Sequence, residues 1–147
     1  MKTLAWQLIG TWQLVSREDR TAAGERRIDP SLGADPVAIL LYDAAGNFAA
    51  QFMKRDRSAT EVAETRQASA NNSVAVNGYD AYFGKYTVDE ASSSVTQVLD
   101  GALSPGDVGK TVTREMHVDR DTLTIELATT SGDGEPVTRR LIWRRSA

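Results

Sequence analysis

With 147 residues and 41% hydrophobic side chains, the chain can build one core and is too short for two comfortable domains, so a single domain over 1–147 is expected. A formal charge of −3 gives no long-range attraction for a phosphate backbone, and one histidine without cysteine leaves neither a disulfide framework nor a soft ligand set for zinc. No run reaches 18 apolar residues, so no membrane-spanning helix is expected; the N-terminus, interrupted by Gln7 and Gln13, reads as mature sequence of a cytoplasmic protein.

LAWQLI, residues 4 to 9, sets Leu4 and Leu8 on one side of a helical turn suited to plugging the end of a barrel. From Thr11 the chain alternates, with Trp12, Leu14 and Ser16 on one face and Gln13, Val15 and Arg17 on the other, which predicts the first strand. Residues 19 to 36 contain Gly24, Gly33, Pro30 and Pro36 without a sustained period and read as a long loop. VAILLYD (37 to 43) and FAAQFMK (48 to 54) flank the turn AAGN and form a hairpin. After this third strand, Ser58 stands three residues before Glu61, the spacing of a capping box, and predicts a short helix over 58 to 70 that covers something rather than forming the centre.

GYDAYFGKYTVDE (78 to 90) supplies the fourth strand and VTQVL (95 to 99) the fifth, followed by a loop with Pro105. TVTREMHV (111 to 118), TLTIELATT (122 to 130) and VTRRLIWRR (137 to 145) complete eight strands joined in meander order. Eight antiparallel strands either split into a sandwich or close into an up-and-down barrel; closure removes every unpaired edge and is the preferred reading. The interior of such a barrel holds side chains or one small ligand.

Period two then sorts the faces. Tyr82, Gly84, Tyr86 and Val88 share one side of the fourth strand, and Lys85, costly to bury unpaired, marks the other as the outside. Leu123, Ile125 and Leu127 point inward, as do Arg139, Leu141 and Trp143. In the sixth strand the more apolar face, Val112, Arg114, Met116 and Val118, carries an arginine. An enclosed guanidinium needs acceptors, from backbone carbonyls near the closed end, tyrosine hydroxyls, a carboxylate, water or an anionic ligand. Tyr82 and Tyr86 are read either as core rings with partnered hydroxyls or as ligand contacts. Trp12 and Trp143 suit the barrel floor. In the third strand Asn47, Ala49, Gln51 and Met53 oppose Phe48, Ala50, Phe52 and Lys54, and composition favours the phenylalanines inside. In the fifth, Val95, Gln97 and Leu99 oppose Thr96, Val98 and Asp100 without a clear winner.

The segments GTWQLVS (10 to 16), DPVAILLYDAAGNFAAQFMKRDR (35 to 57), GYDAYFGKYTVDE, SVTQVLDGALSPGDVG (94 to 109), LTIE (123 to 126) and RRLIWRR (139 to 145) resemble the lipocalin-like domain proteins of bacteria and fungi over nearly the whole chain. The resemblance implies an all-β, eight-stranded antiparallel calycin-type barrel with an internal ligand cavity. It also implies that Gln51 and Met53, rather than Phe52, face the interior. Gln97 stands where the family pattern often has a histidine, and an amide there can exchange hydrogen bonds but not titrate.

Members occur beside biosynthetic genes, and related barrels include carriers of apolar molecules as well as cyclases and isomerases, so two functions are expected. The first is binding of a small hydrophobic or amphipathic, oxygen-bearing molecule of secondary metabolism, without cofactor or metal, through Gln51, Met53, Tyr82, Tyr86, Gln97, Arg114, Trp12 and Met116. The second is a cofactor-free cyclase or isomerase of a polyketide- or terpenoid-like substrate. Arg114, Tyr82 and Tyr86 are its catalytic candidates, and its acid or base is a tyrosine or a mouth carboxylate such as Glu18 or Asp80. His117 shares a face with Glu115 and is expected outside. RRLIWRR reads as a strand with solvated arginines, so no nucleic-acid partner is expected; nothing in the residues specifies an oligomeric state.

Overall fold

Alternating burial runs through most of the chain, and the strands follow it. A computed structural model describes residues 2–57, 71–131 and 133–146. A short helix, α1 (Leu4–Leu8), precedes β1 (Gly10–Arg20), a two-residue β2 (Arg26–Arg27), β3 (Val37–Tyr42) and β4 (Asn47–Met53). Then come β5 (Tyr79–Asp89), β6 (Ser94–Ala102), a 3₁₀ turn (Pro105–Asp107), β7 (Thr111–Asp119), β8 (Thr122–Thr130) and β9 (Pro136–Arg145). The helix expected over 58 to 70 lies outside the described residues.

Every neighbouring pair is antiparallel, in the order β2-β1-β3-β4-β5-β6-β7-β8-β9. β1 also pairs with β9, from Trp12↔Arg145 to Arg20↔Thr138, so eight strands close into an up-and-down barrel and β2 merely extends the far end of β1. Closure gives the terminal strands the hydrogen-bond partners that an open sheet would leave missing.

One end is sealed by apolar packing. Leu4 and Leu8 are buried under α1, and the helix is held at both termini by distant residues. The Thr3 hydroxyl accepts from Trp6 N, while the Glu90 carboxylate accepts from Leu4 N (2.8 Å) and Ala5 N (3.0 Å), placing negative charge where the helix leaves donors free. Arg145 donates to Gln7 O (2.6 Å) and Ile9 O (2.8 Å) while lying 4.3 Å over the Trp12 ring. Trp12 Nε1 donates to Leu8 O at 2.9 Å. The expected plug is thus α1, with Trp12 and Met116, both 0% exposed, filling the space above it.

Two bulges set the faces of their strands. In β1, Leu14 pairs with Trp143 and Ser16 with Ile142, so Val15 is an extra residue and the inward set switches from Trp12 and Leu14 to Arg17 and Asp19. The uninterrupted alternation expected for this strand, with Ser16 inside and Arg17 outside, is therefore wrong beyond Val15. In β6, Gly84 pairs with Leu99 and Phe83 with Gly101, leaving Asp100 as the extra residue. The backbones approach so closely there that a Cβ on Gly84 would lie 1.8 Å from Val98 O.

Candidate functional site

The end of the barrel opposite α1 contains charge. Arg17 and Asp19 arrive inside through the β1 bulge, Arg139 through the regular alternation of β9, and Asp29 with Ser31 and Leu32 from the loop between β2 and β3, which folds inward and is buried there. Arg139 grips Asp19 with two hydrogen bonds, Nε to Oδ1 at 2.7 Å and Nη2 to Oδ2 at 2.9 Å. Arg17 Nη2 meets Asp29 Oδ2 at 3.1 Å, and Arg139 Nη2 lies 3.7 Å from the same oxygen. Asp29 Oδ1 also accepts from Ser31 N and from the Ser31 hydroxyl. Two cations and two anions thus form one neutral buried group, the form in which charges are tolerable away from water. Burial, then the neighbouring Arg139, lower the Arg17 pKa to about 10, so the guanidinium stays protonated at neutral pH.

Between this group and the packed floor is a cavity. Its atom-free space is about 600 Å³ counting the part open to solvent, and it narrows to about 50 Å³ that the centre of a water molecule can reach. Leu40, Phe52, Ile125, Leu127, Leu141 and the Trp143 ring give it apolar walls. Its polar side holds Tyr42, Tyr82, Gln97, Arg114, Asp80 and Ser73, with Arg17, Asp29 and Arg139 at the charged end. Arg17 and Asp29 are paired to each other, whereas Arg114 and Asp80 have no ion-pair partner, and Trp143 Nε1 no hydrogen-bond partner, among the described residues.

Arg114 is buried, and its Nη1 donates to Asn71 Oδ1 (2.5 Å) and Thr113 O (3.4 Å). No carboxylate forms an ion pair with it among the described residues. Burial lowers its pKa, with Tyr82 and Tyr42 acting in the opposite direction. Trp143 is 1% exposed and its Nε1 has no hydrogen-bond partner among the described residues. Asp80 is 4% exposed; its Oδ2 accepts from the Ser73 hydroxyl, whereas its Oδ1 has no partner among the described residues. Burial raises the Asp80 pKa to about 6 against the pull of the Ser73 hydrogen bond, with Asp107 adding to the rise and Arg17 opposing it. Burial and then Asp80 push Tyr82 up to about 12, and burial holds Tyr42 well above the usual tyrosine range, so both remain neutral phenols. Tyr42 donates to Gln97 Oε1 at 2.8 Å and lies 3.7 Å from Met116 Sδ, which fixes the amide and links the cavity to the floor.

Of the eight residues the sequence nominated for ligand contact, Tyr82, Gln97 and Arg114 line this cavity. Trp12 and Met116 are packed below it. Tyr86 turns its ring edge-on to Tyr42, 4.8 Å between centroids, and its hydroxyl donates to Asp43 O at 2.6 Å, away from the lining. Gln51 and Met53 require correction. Gln51 is exposed and accepts from the Tyr79 hydroxyl at 3.0 Å, while Met53 shares its outward face. The interior positions belong to Phe48, Ala50 and Phe52, which pair with the inward residues of β5 as Phe48↔Gly84, Ala50↔Tyr82 and Phe52↔Asp80. Burying a phenylalanine contributes about 2–3 kcal/mol and leaves no polar group to satisfy, whereas a buried Gln51 amide would need partners on that wall. Composition identified the correct face, and the family pattern the wrong one.

The charged group was only half legible. Arg139 was expected inside, but its partner Asp19 is 120 positions away in sequence and reaches it only because of the bulge. No periodic signal distinguishes Asp29 within its loop. Asp80 shares the parity of Tyr82, a signal sufficient to place it inside, yet its lack of a cation becomes visible only in three dimensions. His117 is exposed beside Glu115 at 3.1 Å, as its parity suggested.

A model of the family described as "Lipocalin-like domain" matches residues 9–146. No curated protein matches the chain.

Proposed function

The chain belongs to the lipocalin-like domain family, a fold that suggests small-molecule binding, and from that premise we propose that its cavity holds a compact, mostly apolar molecule with one oxygen-bearing end. The observation that carries the reading is the coincidence, on one cavity, of a buried guanidinium without a carboxylate and a buried indole N–H without an acceptor among the described residues. The indole N–H is a buried donor without an acceptor among the described residues, which costs about 1–3 kcal/mol, so a ligand oxygen that meets it recovers free energy the empty protein lacks. Arg114, which already donates to Asn71 Oδ1 and Thr113 O, adds its positive charge beside the same oxygen. Leu40, Phe52, Ile125, Leu127 and Leu141 offer the ligand body a surface that excludes water. The narrowness of the space favours a ligand of one or two rings, or one that displaces the residues at the rim.

A role in secondary metabolism is the narrower form of this proposal and draws on the resemblance to proteins found beside biosynthetic genes. A cofactor-free isomerase or cyclase is the second reading, favoured by Asp80 on the same cavity, one of whose oxygens has no partner among the described residues.

Native mass spectrometry of the purified protein, followed by titration with compact aromatic ketones and phenols, tests the binding reading. Replacing Arg114 by Met is expected to weaken binding of an oxygen-bearing ligand by about 10- to 100-fold, the range for one hydrogen bond to a charged group. Gln51→Ala, on the outer face, is expected to leave it unchanged. Equal affinity in wild type and Arg114→Met removes the proposed anchor.

A further inference from the structure

A base in this cavity must be ionisable near neutral pH, free to accept a proton and exposed to the enclosed space. Glu18 pairs at 3.1 Å with Arg20 on the exposed side of β1. The Tyr86 hydroxyl is committed to Asp43 O, and Tyr82 ionises only at about 12. Asp19 and Asp29 are neutralised by Arg139 and Arg17. Asp107 accepts from Val74 N (2.8 Å) and pairs with Lys110 Nζ at 2.9 Å. Asp80 alone among the cavity-lining carboxylates of the described residues combines burial, no ion pair and an oxygen with no partner. Ser73, its single side-chain donor among the described residues, holds Oδ2 and leaves Oδ1 without a partner there.

We propose that this cavity catalyses proton transfer at a carbon next to a carbonyl, with Asp80 Oδ1 taking and returning the proton while Arg114 and Trp143 Nε1–H hold the carbonyl oxygen. The proposal rests on the binding reading above and adds a reaction to it. In the first step the substrate C–H bond breaks and an O–H bond forms on Asp80; the freed electron pair becomes the C=C bond of an enolate, and the carbonyl π pair moves onto oxygen. In the second, Asp80 returns the proton to the same carbon, which exchanges or inverts it, or to the γ-carbon of a β,γ-unsaturated ketone, which shifts the double bond into conjugation. The carboxylate is regenerated and no co-reactant is consumed. Charge grows on the oxygen in the transition state, so donors that are fixed and buried in advance stabilise that state more than the ketone.

The substrate class is a compact ketone with an acidic neighbouring C–H and an apolar body. Asp107 and Arg17 are the charged groups that act on Asp80, with Tyr82 the neighbouring titratable hydroxyl. Asp107 and Arg17 oppose each other, and Tyr82 stays neutral below about pH 12. The carboxylate needed for the first step therefore predominates above about pH 6.

The test uses the full chain with two probes: cyclohex-3-enone in D₂O, followed by deuterium uptake and conjugated-enone absorbance, and 4-nitrophenol, a non-reacting analogue of the enolate, followed by its spectral shift. Wild type is expected to accelerate both uptake and conjugation over buffer, with a rate that rises with pH and levels off above about 6. Asp80→Asn is expected to lose about 100-fold or more of that acceleration while binding 4-nitrophenol at least as tightly, which also shows that the variant is folded. Arg114→Met is expected to weaken 4-nitrophenol binding about 10-fold or more. Binding of 4-nitrophenol without acceleration, or acceleration that survives Asp80→Asn, overturns proton transfer and leaves the binding reading standing. If wild type fails to bind 4-nitrophenol at millimolar concentration, both readings are overturned.

Discussion

Asp80 has one oxygen bonded to Ser73 and one buried without a partner among the described residues, and the free-energy cost of holding it there changes with pH. Its pKa in the folded chain is about 6 against an ordinary 3.8, because burial disfavours the charged form. Between those values the native state binds more protons than the unfolded state, so stability falls as pH rises through that window. Below it the penalty is absent; above it the full penalty applies, on the order of 3 kcal/mol. Asp80→Asn removes the titration but keeps an acceptor for Ser73. Urea denaturation is expected to find variant and wild type similar near pH 3.5, with the variant gaining about 1–3 kcal/mol by pH 7.5. A difference that stays flat with pH would mean that the carboxyl is not strained by burial. The arginines illustrate the complementary case: Asp19 and Asp29, within hydrogen-bonding distance of Arg139 and Arg17, offset part of the cost of burial, which still lowers the Arg17 pKa to about 10.

At the level of strands, the two bulges do different work. The extra residue at Val15 changes which side chains β1 sends inside, converting an apolar strand at the floor into a charged one at the far end. The extra residue at Asp100 bends β6 against Gly84, where a Cβ would be 1.8 Å from Val98 O and 2.8 Å from Asp100 N. Both obstacles are backbone and cannot swing away as the tip of a side chain would. Gly84→Ala is therefore expected to cost about 3 kcal/mol or more in chemical denaturation. A loss below about 1 kcal/mol would mean that β5 and β6 slide apart without penalty. Gly84 lies between Tyr82 and Tyr86 on the inner face, and of those two only Tyr82 lines the cavity.

For the whole barrel, the consequence of closure is that each of its eight strands has a partner on both sides, with β2 alone left at an edge among the described strands. The seam between β1 and β9 runs from Trp12↔Arg145 to Arg20↔Thr138 and contains the buried Arg139–Asp19 pair. Amide hydrogen exchange is therefore expected to protect the paired amides of β1 and β9 to within about tenfold of those in β7 and β8, since all open with the same cooperative unit. Exchange hundreds of times faster at the seam would show a barrel that opens there. Closure also explains the division of the interior: α1, Trp12 and Met116 fill one end with apolar volume, and charge with an unfilled space is confined to the other. A ligand that binds the folded chain at 100 times its Kd adds about 2.7 kcal/mol of stability, so a thermal-shift screen is a sensitive way to find one.

The sequence by itself determined the eight barrel strands, though not the two-residue β2 in the stretch read as a loop, and with them their order, the closure that eight antiparallel strands favour, and the inward faces of β5, β7, β8 and β9, including Arg114, Tyr82, Arg139 and Trp143. Period two is a property of neighbouring residues and needs no partner to be read. Tertiary structure settled the face of Gln51, on which composition and the family pattern disagreed, and alone decided that Arg17 and Asp19 face in and that Asp29 comes from a loop to neutralise what they bring. A bulge is one residue too many only relative to the strand beside it, and a buried charge is balanced or stranded only by what the fold places within a few ångströms. Neither relation is local in sequence, which is why the barrel was legible from the residues and the unpaired oxygen of Asp80 was not.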